Sequence, residues 1–181
     1  MYYCAILNTY YFWKCKKMKK INIKTVAVLA LLIAVEIVLS RLLSISLQNV
    51  KLGLSFLVVA FAAREYGILG GTLVGGLSDL VGALILPIGP YFPGFTLTAA
   101  LCGAVYGIFL KNASVKKIAL AQIINNFILG MLLNSFWISL LYGAPYLSLL
   151  PIRAIQAAIL TAVGIPALHF MNKYVPRIAK R

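Results

Sequence analysis

The chain has 181 residues, of which 62% are hydrophobic and only 11% are charged, and its formal net charge is +14. The apolar residues recur in long runs, which excludes a soluble globular protein and predicts an integral membrane protein, because a helix that crosses the bilayer needs about 20 predominantly apolar residues. The chain is long enough for about six such helices with short loops, and it leaves no room for a separate soluble domain.

The first 17 residues, MYYCAILNTYYFWKCKK, precede the membrane region. Their apolar run is too short to span a bilayer, and the basic cluster follows this run, whereas it would precede the apolar run of a secretory signal. We interpret residues 1–17 as an N-terminal tail, or as the product of a start codon assigned too early, with Met18 as the true first residue. Residues 18–181 are predicted to form a single membrane domain.

Charged residues and helix breakers divide the membrane region into six predicted spans. These spans cover residues 22–42, 52–64, 66–86, 94–110, 116–142 and 150–172. The second is short and the fifth is long enough to tilt or to project beyond the lipid, so irregular geometry is expected there. The predicted fold is an all-α integral membrane protein with six transmembrane helices.

The basic residues indicate the orientation of these spans. Fourteen of the 17 lie in the termini and at the ends joined by the even-numbered loops, and only Arg41, Lys51 and Arg153 lie on the opposite face. The positive-inside rule therefore predicts a multi-pass protein of the cell membrane with both termini in the cytoplasm. The net charge reflects this topology, so a nucleic-acid partner is not indicated.

Small residues follow one stripe of the first span. Ala27, Ala30 and Ala34 share a helical face, where small side chains let a second helix approach closely. The stripe is either a docking surface for another protein or an internal packing surface.

The third span carries a carboxylate inside its apolar run. Gly67, Gly71 and Gly75 step by four residues, and Asp79 is the next residue on that face. The glycines predict close packing, and they direct Asp79 toward the protein interior. A carboxylate within the membrane is costly unless it has a partner, and such residues mark ligand or ion pathways.

Other polar and aromatic groups are predicted at the same depth, in the outer half of the membrane. They are Asn134 and Trp137 of the fifth span, where Asn126 and Gly130 share a face with Asn134, together with Arg41 at the end of the first span and Arg153 at the start of the sixth. Groups from four helices would thus converge on one site.

The loop PIGPYFPG, residues 87–94, separates the third span from the fourth. Three prolines and two glycines exclude a continuous helix, and non-helical backbone at membrane depth is tolerated where it lines a cavity or is buried in protein. We interpret Asp79 as the floor of an outward-facing pocket, with Tyr91, Phe92 and Phe95 as its cover. The alternative is an interfacial aromatic belt above an Asp79 whose hydrogen bonds are satisfied.

Residues typical of catalysis or metal binding are scattered along the chain. Cys4, Cys15 and Cys102 lack metal-ligand spacing, and the acidic residues are Glu36, Glu65 and Asp79, well apart in sequence. No catalytic residue, metal ligand or cofactor is predicted, and an enzyme is disfavoured.

Four segments carry a resemblance that covers residues 18–175. ALLIA in the first span, SRLLSI after it, GGLSDLVGALI in the third span and above all GPYFPGFTLTA resemble the folate-type substrate-binding S component of energy-coupling factor (ECF) vitamin transporters. The resemblance implies a six-helix subunit that binds a vitamin outside. It also implies docking through the alanine stripe on a transmembrane coupling subunit, with two cytoplasmic ATPases supplying the energy.

The chemistry of folate fits the candidate residues. A pterin ring presents adjacent N–H donors that the Asp79 carboxylate can accept, and its flat face suits stacking on aromatic rings. Arg41, Lys51 and Arg153 could attract the anionic glutamate tail, although each could equally be a snorkelling interfacial charge. The alternatives are an S component for another flat vitamin, such as riboflavin or thiamine, and a small membrane enzyme or a structural membrane protein.

Overall fold

A computed structural model describes residues 23–42, 45–47, 50–87, 89–112 and 114–175. The tail of residues 1–17, with Cys4 and Cys15, lies outside these ranges. Within them the helices are α1 (Ile23–Arg41), α2 (Phe56–Ile85), α3 (Pro93–Phe109), α4 (Val115–Tyr142) and α5 (Tyr146–Tyr174), with a 3-10 turn at Leu110–Asn112. In this part of the chain α1, α2, α4 and α5 are long and apolar enough to cross a membrane, and α3 is shorter. The prediction of a helical membrane protein is confirmed at this level.

A short hairpin joins α1 to α2. Its strands are β1 (Ile45–Leu47) and β2 (Val50–Leu52), which pair antiparallel with Ile45 opposite Leu52, and β2 packs against α5. The second span, predicted from residue 52, therefore begins later, at Phe56. The reason is that the backbone groups of residues 50–52 pair within the hairpin instead of starting a helix.

The chain reverses direction inside α2, at Gly67. Gly67 has φ 74° and ψ −159°, a conformation that residues with a side chain rarely adopt. A methyl group on Gly71 would lie 2.7 Å from Cβ of Ala63, and one on Gly75 would lie 3.5 Å from Cγ1 of Val59. Because both pairs are symmetric about Gly67, residues 56–66 (the first arm of α2) run antiparallel to residues 68–85 (the second arm). The assignment of Gly67 to the packing stripe was wrong, because this glycine forms the turn.

The second arm of α2 packs backbone to backbone on α3. A methyl group on Gly71 would overlap the carbonyl group of Gly103, and one on Gly75 would overlap the carbonyl oxygen of Ala99. Such contact without intervening side chains is characteristic of small-residue helix interfaces in membranes. Gly71 and Gly75 therefore do form the predicted packing surface.

The middle of α4 departs from α-helical geometry. Ile124–Leu133 form a π-helix between the α-helical segments Val115–Ile123 and Asn134–Tyr142. A π-helix has i to i+5 hydrogen bonds, and such wider turns are frequent at functional sites. The fifth predicted span thus has the expected irregular geometry, which is a π-helix in the middle of the helix.

The core is formed by α2, α3, α4 and α5, and it includes Ala63, Val74, Tyr106 and Leu168. At one end of the bundle the buried Arg64 guanidinium donates to the backbone carbonyls of Met171 (3.1 Å) and Val175 (2.8 Å). The Met171 carbonyl also accepts the last backbone hydrogen bond of α5, from the N–H of Val175 at 3.1 Å, whereas the Val175 carbonyl lies beyond the end of the helix. The two bonds from Arg64 fix the C-terminal end of α5 beside the turn of α2.

We predict that Gly103→Ala destabilises the protein by about 1–3 kcal/mol, because the new methyl group overlaps the backbone of Gly71 and must push α2 and α3 apart. Thermal unfolding of the detergent-purified variant measures this cost. Gly76→Ala is the matched control: its methyl group meets Ala100 of the same helix pair, at 3.3 Å from Cβ and 3.9 Å from Cα. Equal melting temperatures for the two variants would contradict the backbone contact.

Candidate ligand-binding site

A cavity of about 930 Å³ lies between the second arm of α2, α3, α4, α5 and the loop before α3. This volume is within the range of about 300–1,000 Å³ that is usual for small-molecule sites. Seven of the eight predicted ligand-binding residues line it: Arg41, Asp79, Tyr91, Phe92, Phe95, Asn134 and Arg153. The structure thus brings together groups that are far apart in sequence.

Asp79 is held from two sides. Its Oδ1 accepts a hydrogen bond from Nη2 of Arg41 at 3.4 Å, and its Oδ2 accepts one from the Thr96 hydroxyl at 2.9 Å. The Asp79 side chain is 27% exposed and that of Arg41 is 9% exposed. Pairing with a cation offsets part of the cost of a buried carboxylate. Arg41, assigned from sequence to the anionic tail of a ligand, is therefore a partner of Asp79.

Gly82 makes room for this ion pair. A methyl group at Gly82 would lie 3.0 Å from Nε of Arg41, so the side chain of Arg41 rests directly on the surface of α2. Because Gly82 is one helical turn beyond Asp79, the arginine reaches the carboxylate from the same face of the helix.

Aromatic rings of the loop between α2 and α3 and of the first turn of α3 line the cavity. Tyr91 is 42% exposed and lines the cavity together with Phe92 and Phe95. The Phe92 and Phe95 rings pack edge to face, with centroids 6.1 Å apart. The helix begins at Pro93, slightly earlier than predicted, because the fixed φ of proline suits the first turn of a helix.

Trp137, predicted to contact the ligand, does not line the cavity. Its ring packs behind Phe92, with centroids 5.5 Å apart, and its indole N–H donates to the Thr98 hydroxyl at 3.1 Å. A methyl group at Gly94 would lie 2.6 Å from this indole, so the absence of a side chain there lets Trp137 approach. Trp137 thus supports the ring of Phe92 from outside the cavity.

Residues of the π-helix and of the α-helical turn after it form another wall. Asn125, Asn126, Gly130 and Asn134 line the cavity. The Asn126 amide donates to the Thr161 hydroxyl at 2.9 Å, and Arg153 of α5 donates to the carbonyl of Gly130 at 3.1 Å. An α-helical periodicity places Asn126, Gly130 and Asn134 on one face of the helix and leaves Asn125 off that face. The wider π turn brings both asparagines to the cavity, so sequence reasoning missed Asn125.

A second, smaller chamber of about 280 Å³ adjoins the cavity at the Arg41–Asp79 pair. It is lined by Glu36 and Ser40 of α1 and shares Arg41, Asp79 and Tyr106 with the larger cavity. Glu36 is 8% exposed and is the buried residue of α1. In the sequence, Glu36 is distinguished as a charged residue within a run of apolar residues.

The alanine stripe lies on the surface of the described molecule. Ala27, Ala30 and Ala34 are all exposed, on the side of α1 away from Glu36. This exposure argues against internal packing as the role of the stripe. The side chain of Lys51, the third predicted outside cation, lies outside the described part of the structure.

A family model described as "ECF transporter, substrate-specific component" matches residues 24–171. A protein of Clostridium novyi (strain NT) named folate transporter FolT is 42% identical over 106 residues, which are 58% of this chain and 60% of that protein. A folate transporter FolT of Leuconostoc mesenteroides subsp. mesenteroides is 32% identical over 89 residues, 49% of this chain and 48% of that protein. The matched region thus spans only about half to three fifths of these relatives.

The fold is similar to that of a solved protein over nearly all of that protein's length. A crystal structure of FolT bound with folic acid superposes with a TM-score of 0.82 at 28% sequence identity. The superposition covers 87% of this chain and 98% of the FolT chain.

Proposed function

Because the chain belongs to the family of ECF transporter substrate-specific components, we propose that it is the subunit that captures folate at the outer face of the cell membrane. The family is a transport component and not an enzyme. The observation that carries the proposal is the cavity, which combines the Asp79 carboxylate with an aromatic cover. The similarity to FolT proteins, one of them solved with folic acid, supports folate as the ligand.

The arrangement of side chains suits the two ends of folate. The pterin ring would donate its N–H groups to Asp79 and stack near Phe92 and Phe95. Arg153 would attract the anionic glutamate tail, since Arg41 already pairs with Asp79. The asparagines of the π-helix provide donors and acceptors for the amide in between.

We further propose six membrane crossings with both termini in the cytoplasm. The two antiparallel arms of α2 supply two crossings, of which the first (residues 56–66) is shorter than a full span of about 20 residues, and α1, α3, α4 and α5 supply one each. Lys24, Lys111 and Lys173 lie at the end of the bundle where α2 turns, whereas Arg41 and the aromatic cover lie at the other end. The positive-inside rule assigns the lysine-bearing end to the cytoplasm.

The partners we propose are a transmembrane coupling subunit and two cytoplasmic ATPases. The exposed alanine stripe of α1 supports this assignment, because small side chains permit close contact with a helix of another protein. The chain contains no internal repeat that could rock about a central site. We therefore expect release of the ligand to require reorientation of the whole subunit in the bilayer.

Equilibrium binding of the purified protein to folate, riboflavin and thiamine tests the ligand. We predict that folate binds and that Asp79→Asn lowers its affinity about 10- to 100-fold, since loss of a charge-assisted hydrogen bond costs about 1.5–3 kcal/mol. Thr96→Val, which removes a neutral donor to Asp79, should have a smaller effect. Unchanged folate binding by well-folded Asp79→Asn protein would refute the role of Asp79. Tighter binding of riboflavin or thiamine would indicate an S component for that vitamin, and binding of none would favour a structural membrane protein.

Docking is separable from ligand capture. We predict that Ala30→Trp and Ala34→Trp abolish folate uptake by cells, because the indole keeps the two helices apart, while the purified variants still bind folate. Ile155→Trp is the control, since Ile155 is 65% exposed but lies on α5. Loss of binding and uptake together would contradict a docking surface that is separate from the ligand site.

The aromatic cover should slow the release of ligand. We predict that Tyr91→Ala or Phe92→Ala raises the dissociation rate of folate much more than it lowers the association rate, because an open cover does not obstruct entry. Stopped-flow measurement with a fluorescent folate gives both rates. Tyr146→Ala is the control, since Tyr146 does not line the cavity and bonds to the carbonyl of Leu132. A variant that loads slowly but releases at the normal rate would exclude a cover.

A further inference from the structure

The smaller chamber extends the binding cavity toward α1. Its polar lining includes Glu36, Ser40 and Ser55, and the Arg41–Asp79 pair lines both this chamber and the larger cavity. Since the two spaces share walls at Arg41, Asp79 and Tyr106, a ligand group bound at Asp79 also faces the smaller chamber. The chamber is large enough for part of a planar ring.

Glu36 brings an unsatisfied acceptor to this chamber. The hydroxyl of Ser78 donates to the carbonyl of Val74, and Oε2 of Glu36 is buried with no hydrogen-bond partner in the described part of the structure. A buried carboxylate oxygen without a donor is costly, and more so within a membrane. Such an atom is stabilised when a ligand supplies the missing donor.

The Asp79 carboxylate differs in this respect. Both of its oxygens already accept hydrogen bonds, one from Arg41 and one from Thr96. Of the two carboxylates in the chamber, Glu36 therefore has the oxygen whose need for a donor is greater.

We propose that Glu36 is a specificity-determining residue that accepts a hydrogen bond from an amino group on the edge of the bound heterocycle. The inference rests on the proposed function and deepens it, since the ring would be held by two carboxylates, Asp79 and Glu36. A carboxylate accepts hydrogen bonds and repels carbonyl oxygens, so the pair favours an amino-substituted ring over a ring edge flanked by carbonyl groups, such as that of riboflavin. A site built to bond a donor rejects an analogue without it, because its own polar group is then left unpaired.

The test compares two ligands on three proteins. The ligands are folic acid and its analogue with a methyl group in place of the 2-amino group; the proteins are wild type, Glu36→Gln and Glu36→Met. Wild type should prefer folic acid by about tenfold or more, and both variants should lose about tenfold in folic acid affinity and most of that preference. Leu160→Met is the matched control, because Leu160 lines both chambers and the change conserves volume without altering an acceptor. It should keep the preference.

Each result decides between defined alternatives. If Glu36 only orients Arg41 or α1, its variants weaken both ligands by the same factor, and the preserved preference overturns the inference. Absence of folic acid binding to wild type overturns the proposed function itself, and tighter binding of riboflavin overturns both.

A measurement on wild type covers the case in which the variants do not fold. Glu36 and Glu65 are the two glutamates of the chain, so incorporation of ¹³C-labelled glutamate marks their carboxyl groups in infrared spectra. Glu65 lies beside Arg64 at the end of the first arm next to the turn of α2, away from the smaller chamber. Folic acid should shift the band of one labelled carboxyl group, and an unchanged spectrum at saturation would refute contact with Glu36.

Discussion

The ion pair between Arg41 and Asp79 is the interaction around which the site is assembled. Neither charge is stable alone at membrane depth, so each requires the other, and the pair joins the end of α1 to the second arm of α2. Thr96 adds a hydrogen bond from α3 to the same carboxylate. Three helices are thus held at one point, and the cavity opens beside it.

The second arm of α2 and α3 pack closely on one side of the cavity. The second arm of α2 meets α3 backbone to backbone at Gly71 and Gly103, and Gly71 and Gly75 also face the side chains of Ala63 and Val59 in the first arm. On the other side the π-helix of α4 and the start of α5 are separated from this pair by the cavity. Small residues therefore concentrate the contact energy in one half of the bundle, and polar side chains line the other half.

The first helix has two faces with different surroundings. Glu36 faces the smaller chamber, and Ala30 and Ala34 face outward. A ligand that bonds to Glu36 would restrain the same helix that presents the alanine stripe. Loading and docking would then be connected through one rigid element, without a long pathway of side-chain contacts.

The sequence by itself determined the features that depend on local composition. Apolar runs fixed the membrane class and most helix bounds to within a few residues, and the prolines and glycines of residues 87–94 fixed the loop. The cost of a charge in lipid predicted that Asp79 faces the interior of the protein. Only the tertiary structure decided how the helices are rotated and where they turn: Gly67 reverses the chain, the π-helix adds Asn125, Trp137 lies behind Phe92, and Glu36 faces inward. The reason is that hydropathy specifies burial in lipid for every face of a helix alike, whereas the face that meets a cavity is set by contacts with neighbouring helices.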